Sequence, residues 1–337
     1  MKLLITGGAG FIGSNFIRYI LNKYPDYQVV NYDKLTYAGN LDNLKDIENN
    51  SHYKFVHGDV ADEKSIDQVM KDDIDAVVNF AAETHVDRSI HAGSREFVLT
   101  EVLGTQTLLD ASKKYGIKKY IQISTDEVYG SLFLNDQNLF TEETPFAPNV
   151  PYAACKAGGD MLCRAYNKTY GMNIVVSHCS NNYGPYQYPE KLIPYLVCMA
   201  LRNEPLPLYG DGLYVRDWLY VEDHCEAIDL ILHLGKSGKV YNIGGNNEKS
   251  NLEIAKIILR TLDKPEALIT FVTDRPGHDR RYGIDSSKLQ NELGWKPKYN
   301  FDTAIKNTIE WYVNRQDWVE KVRQRCQEFN PHIKINA

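Results

Sequence analysis

The chain has 337 residues, enough for one large or two modest domains, and its apolar (43%) and charged (24%) fractions are those of a globular protein. A net charge of −6 at pH 7 provides no basic footprint for nucleic acid or an anionic membrane, and no apolar run approaches the ~18 residues of a membrane span. Six cysteines without C-x-x-C pairing or regular spacing read as reduced, buried thiols of a cytoplasmic protein that has no metal site.

The chain starts in a short apolar strand, Lys2 to Ile5, with no signal-peptide pattern. Thr6-Gly7-Gly8-Ala9-Gly10-Phe11-Ile12-Gly13 follows and opens a helical run from Ser14 to Lys23. Gly8, Gly10 and Gly13 fit G-x-G-x-x-G, while Gly7, Gly10 and Gly13 fit G-x-x-G-x-x-G. Glycine here permits a tight turn, close approach of backbone to a pyrophosphate and close helix–strand packing. The N–H groups of the helix start, around Phe11 and Ile12, then face the phosphates. Glycine turns are common, so the spacing alone is weak and its context carries the reading. A second strand, Tyr27 to Tyr32, ends at Asp33, placed where an acid bonds the adenosine ribose hydroxyls. Its charge repels a 2′-phosphate, which predicts NAD over NADP, although Lys34 lies beside it in the run Lys34-Leu35-Thr36.

Tyr53 to His57 reads as a third strand, ending at Gly58-Asp59-Val60 on the expected adenine edge. Asp75 to Ala82 reads as a fourth, its tip Phe80-Ala81-Ala82-Glu83 reaching the middle of the cofactor. The polar cluster Thr84-His85-Val86-Asp87-Arg88-Ser89 is then a substrate-loop candidate, though a surface loop with a local Asp87–Arg88 pair has the same composition. A long helix, about residues 94–115, precedes a fifth strand, Lys119 to Ile123. Strands alternating with helices at this spacing predict an α/β fold, a Rossmann-type doubly wound parallel sheet.

Ser124-Thr125-Asp126-Glu127-Val128-Tyr129-Gly130 comes directly after that strand. Ligands bind outside the carboxyl ends of such strands, so a hydroxyl and two adjacent carboxyl groups there form an acid/base set; a solvated turn fits the same residues. Pro151 suits the first turn of a helix on which Tyr152 and Lys156, four apart, share a face. A tyrosine with pKa ~10 is a poor base, and a neighbouring ammonium favours its phenolate. Y-x-x-x-K arises often by chance; its meaning comes from the glycine fingerprint upstream.

Together these residues resemble the extended short-chain dehydrogenase/reductase family, and within it the nucleotide-sugar 4,6-dehydratases. The resemblance spans roughly residues 1–315. It is carried by Ala81 to Ser89, Cys179-Ser180-Asn181-Asn182-Tyr183-Gly184-Pro185-Tyr186, Pro189 to Pro194, Tyr209-Gly210-Asp211-Gly212, Arg216 to Val221 and Gly277-His278-Asp279-Arg280-Arg281-Tyr282. It implies residues 1–181 as an NAD-binding domain carrying the catalytic groups, and 182–337 as a smaller α+β domain, mostly for the nucleotide sugar, with some chain returning to the first. Tightly bound NAD⁺ would be held by the residues above together with Thr100, Tyr152, Lys156 and Asn182. Substrate contacts would come from Thr84, His85, Thr125, Asn181, Lys191 and Leu192, from Pro207, Leu208 and Tyr209, from Arg216 and Asn251, and from His278 to Tyr282. Arg216, Arg281 and Lys191 are the cations for a diphosphate, and the helix from Ser250 to Leu262 turns its N-terminus to the nucleotide.

The implied reaction oxidises C4 of the hexose, eliminates water across C5 and C6, and returns the hydride to C6. Tyr152, helped by Lys156 and Thr125, would take the C4 hydroxyl proton; Glu127 the C5 proton; and Asp126 would protonate the departing C6 hydroxyl. The implied substrate is dTDP-glucose, with UDP-glucose or UDP-N-acetylglucosamine as alternatives, and a 4-epimerase or decarboxylase as a more distant one that Asp126 argues against. A homodimer through helices 94–115 and 152–170 is also implied. Three positions depart from the family's usual pattern. Thr100-Glu101-Val102 stands for Thr-Asn-Val, setting an extra carboxyl near the nicotinamide side; Ala153-Ala154-Cys155 replaces a serine-rich spacing; and His178 precedes the Cys-Ser-Asn-Asn run.

Overall fold

The computed structural model describes residues 1–325 together with Asn330 and Ile333; Cys326 and most of the tail predicted beyond it lie outside the described residues. Its strands in chain order are β1 (Lys2–Thr6), β2 (Gln28–Asp33), β3 (Tyr53–His57), β4 (Ala76–Asn79), β5 (Lys119–Thr125) and β6 (Ile174–Cys179). They continue with β7 (Asn181–Tyr183), β8 (Leu206–Tyr209), β9 (Val215–Tyr220), β10 (Val240–Ile243), β11 (Glu248–Ser250) and β12 (Ile269–Val272). Seven form one parallel sheet in the order β10-β6-β5-β4-β1-β2-β3.

Both faces of this sheet are covered, as its apolar strands require. Leu3 and Ile5 of β1 enter one core layer and Leu4 the other; Val29 and Val30, and Val78 and Val77, divide likewise. Side chains alternate across a strand, so a continuous apolar run can be satisfied only by helices on both sides. After β3 the chain crosses back to lay β4 on the far side of β1, so the strand order reverses there and a crevice opens at the carboxyl ends. Thr6 stands level with Tyr32 and Asn79, and Thr125 level with Cys179, which brings the loops after β1, β2, β4, β5 and β6 to one rim.

Two sequence expectations shift. β4 ends at Asn79, three residues before the predicted limit. Phe80 N–H still reaches Thr6 O, but Ala81 packs onto Gly7 so closely that a Cβ on Gly7 would lie 2.6 Å from Ala81 N. The long helix is present, but it is α-helical over Arg95–Phe97 and Thr105–Lys114 and π-helical over Val98–Gly104 between them.

A second apolar core gathers Leu196, Val197, Leu208, Trp218, Ile258, Ile305 and Trp318, beside the small sheets β11-β9-β7 and β12-β8. The chain does return from this region: Val221–Leu234 packs in the core of the large sheet, and β10 pairs with β6. No helix among the described residues is long and apolar enough to cross a membrane.

Candidate active site

One cleft at the carboxyl rim takes in the glycine turn, Asp33, Lys34, Thr36, Asp59, Val60, Phe80 to Thr84, Thr100, Thr125 to Glu127, Tyr152, Lys156, Asn181, Asn182 and Lys191. The glycine turn is built for a group that lies directly on backbone. Gly7 adopts φ +66°, and a Cβ on Gly13 would stand 2.5 Å from Gly7 O. The helix Phe11–Lys23 starts at Gly10 with no side-chain cap, so its first N–H groups face the cleft as an anion site does. Asp33 accepts N–H bonds from Ala9 (2.9 Å) and Leu35 (2.8 Å). Burial raises its pKa and these bonds oppose the rise. Lys34 turns its ammonium to Asp59 at 2.8 Å, so its charge is engaged away from Asp33. Leu35 supplies only that backbone bond, in a left-handed conformation (φ 53°), and does not line the cleft. Glycine cradle, open helix start and buried acid fit a dinucleotide lacking a 2′-phosphate.

The two acids sit on a single 3₁₀ turn, Asp126–Tyr129, directly after β5. Thr125 shapes its start: the hydroxyl accepts Glu127 N–H (3.3 Å) and donates towards Asp126 Oδ1 (3.4 Å). Behind the turn, Asp160 Oδ2 accepts from Ser124 Oγ (2.7 Å) and lies 3.0 Å from His178 Nε2. His178 Nδ1 is 2.6 Å from the Tyr129 hydroxyl, which also reaches Asn242 at 2.8 Å. His178, one of the unusual residues, thus belongs to a buried polar network pinning the acid turn to β6, β10 and the helix Pro151–Tyr170. Asp126 Oδ2 and Glu127 Oε2 are buried with no hydrogen-bond partner among the described residues. Buried polar atoms are nearly always paired, so such a pair marks where a ligand completes the site.

Electrostatics separate the two acids. Burial, then the Glu127 charge, pushes the Asp126 carboxyl well above its ordinary range. Burial also raises Glu127, but Arg275 and Arg216 draw it back. The pair is therefore poised with Asp126 protonated and Glu127 the readier to ionise. Tyr152 departs from the sequence expectation, because burial and the Glu127 and Glu101 charges hold its hydroxyl well above the usual phenol value. The Lys156 ammonium donates to Ile123 O (2.7 Å) and pairs with Glu101 Oε2 (3.1 Å).

Of the predicted substrate residues, Thr84, Thr125, Asn181 and Lys191 line the same cleft, Lys191 donating to Thr84 O. Arg216 lies behind it, over the Tyr282 ring at 4.2 Å and donating to Asp279 O, with its charge felt at both acids. Tyr209 donates to Asp87, and His278 stacks on Tyr214 while bonding Asp274. Asp279 accepts from Asn149 and Tyr282.

Other positions are committed elsewhere. Arg281 forms a bidentate pair with Glu248 (2.6 and 2.7 Å), a fork already filled by a carboxylate, and Arg280 does the same with Asp211 at the surface. Leu208 is in the second core, beside Pro207 on β8, and Leu192 opens the helix Leu192–Leu201. His85 Nδ1 caps the start of Val86–His91. The N-terminus expected to face the nucleotide is closed: Asn251, Leu252 and Glu253 N–H groups bond Tyr214 O, Gly212 O and Ser250 Oγ. Asn251 Oδ1 alone is left without a partner there among the described residues. Arg275, which sequence reading passed over, pairs with Asp87 at 2.6 Å and acts on Glu127; its only signal was its place two residues before the Gly277 run. Gln187 and Tyr188 also line the cleft and carried no pattern of their own.

The family model for GDP-mannose 4,6 dehydratase matches residues 4–308. A dTDP-glucose 4,6-dehydratase of Xanthomonas campestris is 49% identical, with 95% of each chain covered. Among solved structures, a dTDP-glucose 4,6-dehydratase of Bacillus anthracis in complex with NAD is 51% identical, covering 96% of this chain and 99% of that one, with TM-score 0.89. One of Streptomyces venezuelae, also with NAD bound, is 46% identical, covering 96% and 100%, with TM-score 0.92. The fold and the NAD-bound relatives agree with the cradle described above, and the chain belongs to the nucleotide-sugar 4,6-dehydratase family, alongside the dTDP-glucose 4,6-dehydratases.

Proposed function

We propose that this chain is a hydro-lyase that converts dTDP-glucose to its 4-keto-6-deoxy product using resident NAD⁺. The observation that carries the reading is the buried pair Asp126 and Glu127, both with an unpartnered oxygen, in one cleft with Tyr152 and Lys156. A dehydrogenase alone needs only the latter two.

Bound NAD⁺ supplies the oxidant for C4 and later the reductant for C6. Tyr152 takes the proton from the C4 hydroxyl, with Lys156 one turn along the same helix and Thr125 holding the sugar oxygen. The new C4 ketone makes the C5 proton acidic. Glu127, drawn towards ionisation by the Arg275 and Arg216 charges, is the base that removes it. Asp126, held protonated, gives its proton to the C6 oxygen, which leaves as water, and Glu127 returns its proton to C5 when C6 takes up the hydride. Lys191 and Arg216 serve the diphosphate, while Arg281, paired with Glu248, braces the loop that carries Asp279 and Tyr282. Residues 1–181 supply cofactor and catalytic groups, and most nucleotide-sugar contacts come from 182 onward.

Incubation with dTDP-glucose, UDP-glucose and UDP-N-acetylglucosamine should yield the alkali-induced absorbance of a 4-keto-6-deoxy sugar with the first, at least about tenfold faster than with either uridine sugar, since a single lost or misplaced polar contact costs about that factor. Absorbance from a uridine sugar alone transfers the same chemistry to that substrate; interconversion at C4 without absorbance replaces it with epimerisation. We further propose a cytoplasmic homodimer through the helices at 95–114 and 151–170, whose outer faces expose Val98, Leu103 and Met161. Light scattering should return twice the 38.5 kDa chain mass, and the single mass would sink this arrangement.

A further inference from the structure

Lys156 is held by two partners, Ile123 O and Glu101, and neither is the tyrosine it is expected to serve, which stands one turn earlier on the same helix. The helix Pro151–Tyr170 crosses the helix starting at Arg95 at very close range. A Cβ on Gly159 would stand 2.7 Å from Glu101 O, so a larger residue there would push the two backbones apart. At this crossing the second helix widens into its π turn, Val98–Gly104, and Glu101 points inward with 1% exposure. Single π turns inside α-helices are frequent at functional sites. Glu101 Oε2 lies 3.1 Å from Lys156 Nζ, and Oε1 accepts the Glu83 N–H at 2.9 Å. Glu83 in turn belongs to the cleft wall beyond β4.

We infer that Glu101 is a positioning residue for C4 oxidation, which acts through Lys156 by fixing and neutralising the ammonium and by tying it to the cleft wall at Glu83. This rests on Tyr152 being the base of the proposed reaction. Two of the three ammonium protons are engaged, by Ile123 O and by Glu101, so the head of Lys156 is held in place. The signs of the surrounding charges set the electrical consequence. Tyr152 is faced by Glu101 from the π turn, Asp126 and Glu127 from the 3₁₀ turn, and Cys179 from β6, with Lys156 one turn along its own helix. Burial raises the Glu101 carboxyl, and the Lys156 ammonium at 3.1 Å and the Glu83 N–H draw it back towards the carboxylate against the Glu83 charge. A lone lysine would draw Tyr152 to its phenolate, and the Glu101 carboxylate cancels much of that pull. Ionisation of Tyr152 is thereby left to the positive charge of an oxidised nicotinamide, so the base is armed when the oxidant is in place.

The test is a tyrosinate ultraviolet titration of the NAD-loaded protein, with Glu101→Gln and Glu101→Asp, each read against the same chain carrying Tyr152→Phe. In Glu101→Gln the Tyr152-dependent step should move about one pH unit lower, within the range of shifts that a single nearby charge produces. Glu101→Asp, which keeps the charge, should stay within a few tenths. The alkaline-to-acid fall of single-turnover NADH formation should move by the same amount. A native-like Glu101→Gln whose step is unmoved, raised or absent overturns the inference. If Glu101→Gln alone does not fold, Glu101→Gln/Lys156→Gln removes both charges and should recover most of the melting temperature lost by either single change. A double variant as unstable as the sum of the singles overturns it equally. Because the titration needs no sugar, failure of the proposed substrate leaves this result standing or falling on its own.

Discussion

Asp126→Asn is expected to lower formation of the 4-keto-6-deoxy product by about 10²–10⁴-fold, the usual worth of a general acid, while C4 oxidation stays within about tenfold. Only the later step needs a proton at the C6 oxygen, and only Asp126 is held neutral strongly enough to supply it. Its carboxyl is buried, Glu127 opposes its ionisation, and its Oδ2 has no partner among the described residues. An amide keeps the shape and the Thr125 contact but carries no acidic proton. In a single turnover the reduced nicotinamide band should therefore rise and persist, where in the unaltered chain it rises and decays. Equal loss of oxidation and dehydration would remove Asp126 from the acid role. Stability should move the other way. Burial puts the folded pKa of Asp126 above its unfolded value, so its contribution is complete below the unfolded pKa and is lost as pH rises towards the folded one. At neutral pH the amide is free of that loss. The variant should melt at the same temperature or a few degrees higher, with the gap closing towards pH ~4. A lower melting temperature at neutral pH would mean that the carboxyl has a structural role the hydrogen bonds do not reveal.

Tyr152→Phe is expected to remove both half-reactions together, by about 10²–10⁴-fold, with the cofactor still bound. The ring is wedged edge-on against Phe97, and the phenyl group of Phe fills the same space. What disappears is the oxygen proposed to take the C4 hydroxyl proton. Without that removal no ketone forms at C4, the C5 proton stays inert, and Glu127 and Asp126 have nothing to act on. Rapid-mixing absorbance should show no reduced nicotinamide from the first turnover onward, and protein-bound NAD released on denaturation should be unchanged. A variant that still oxidises at a rate near that of the unaltered chain would hand the base role to another group, Glu127 being the nearest charged candidate. The two variants together divide the site: Tyr152 gates everything, whereas Asp126 gates only the steps after oxidation.

Much of this site is legible in the sequence. The glycine fingerprint, Asp33, the acid turn and the Tyr152/Lys156 spacing are local patterns, each spanning one loop or one helical turn. Local patterns survive in a linear chain because neighbours in sequence are held to neighbouring positions by the backbone itself. The helical spacing of Tyr152 and Lys156 places both on one face whatever surrounds them. The seven-stranded sheet was readable for the same reason, since apolar strands alternating with helices leave few other ways to bury both faces.

Other features depended on partners far away in the chain. Arg281 was read as a diphosphate cation from its motif, yet Glu248 fills its fork from another strand. The N-terminus at Asn251 was read as open, yet carbonyls from Gly212 and Tyr214 close it. Arg275 carried no motif of its own, and its influence on Glu127 exists only because the loop after β12 folds over the acid turn. Glu101 could be seen as an extra carboxyl but not as the counter-charge of Lys156, which requires a π turn and a glycine at the crossing of two helices.

The sequence by itself determined the sheet, the cofactor cradle and which residues are proposed to react, because each is encoded within a few adjacent residues. Tertiary structure alone decided which charges those groups meet. Ionisation in a buried cleft depends on desolvation and on the sign of whatever lies within a few ångströms, and those neighbours arrive from separate segments of the chain. That is why the physical reason for opposite roles of Asp126 and Glu127, adjacent and nearly identical in chemistry, emerges only once the charges around each, Arg275 beside Glu127 among them, are seen.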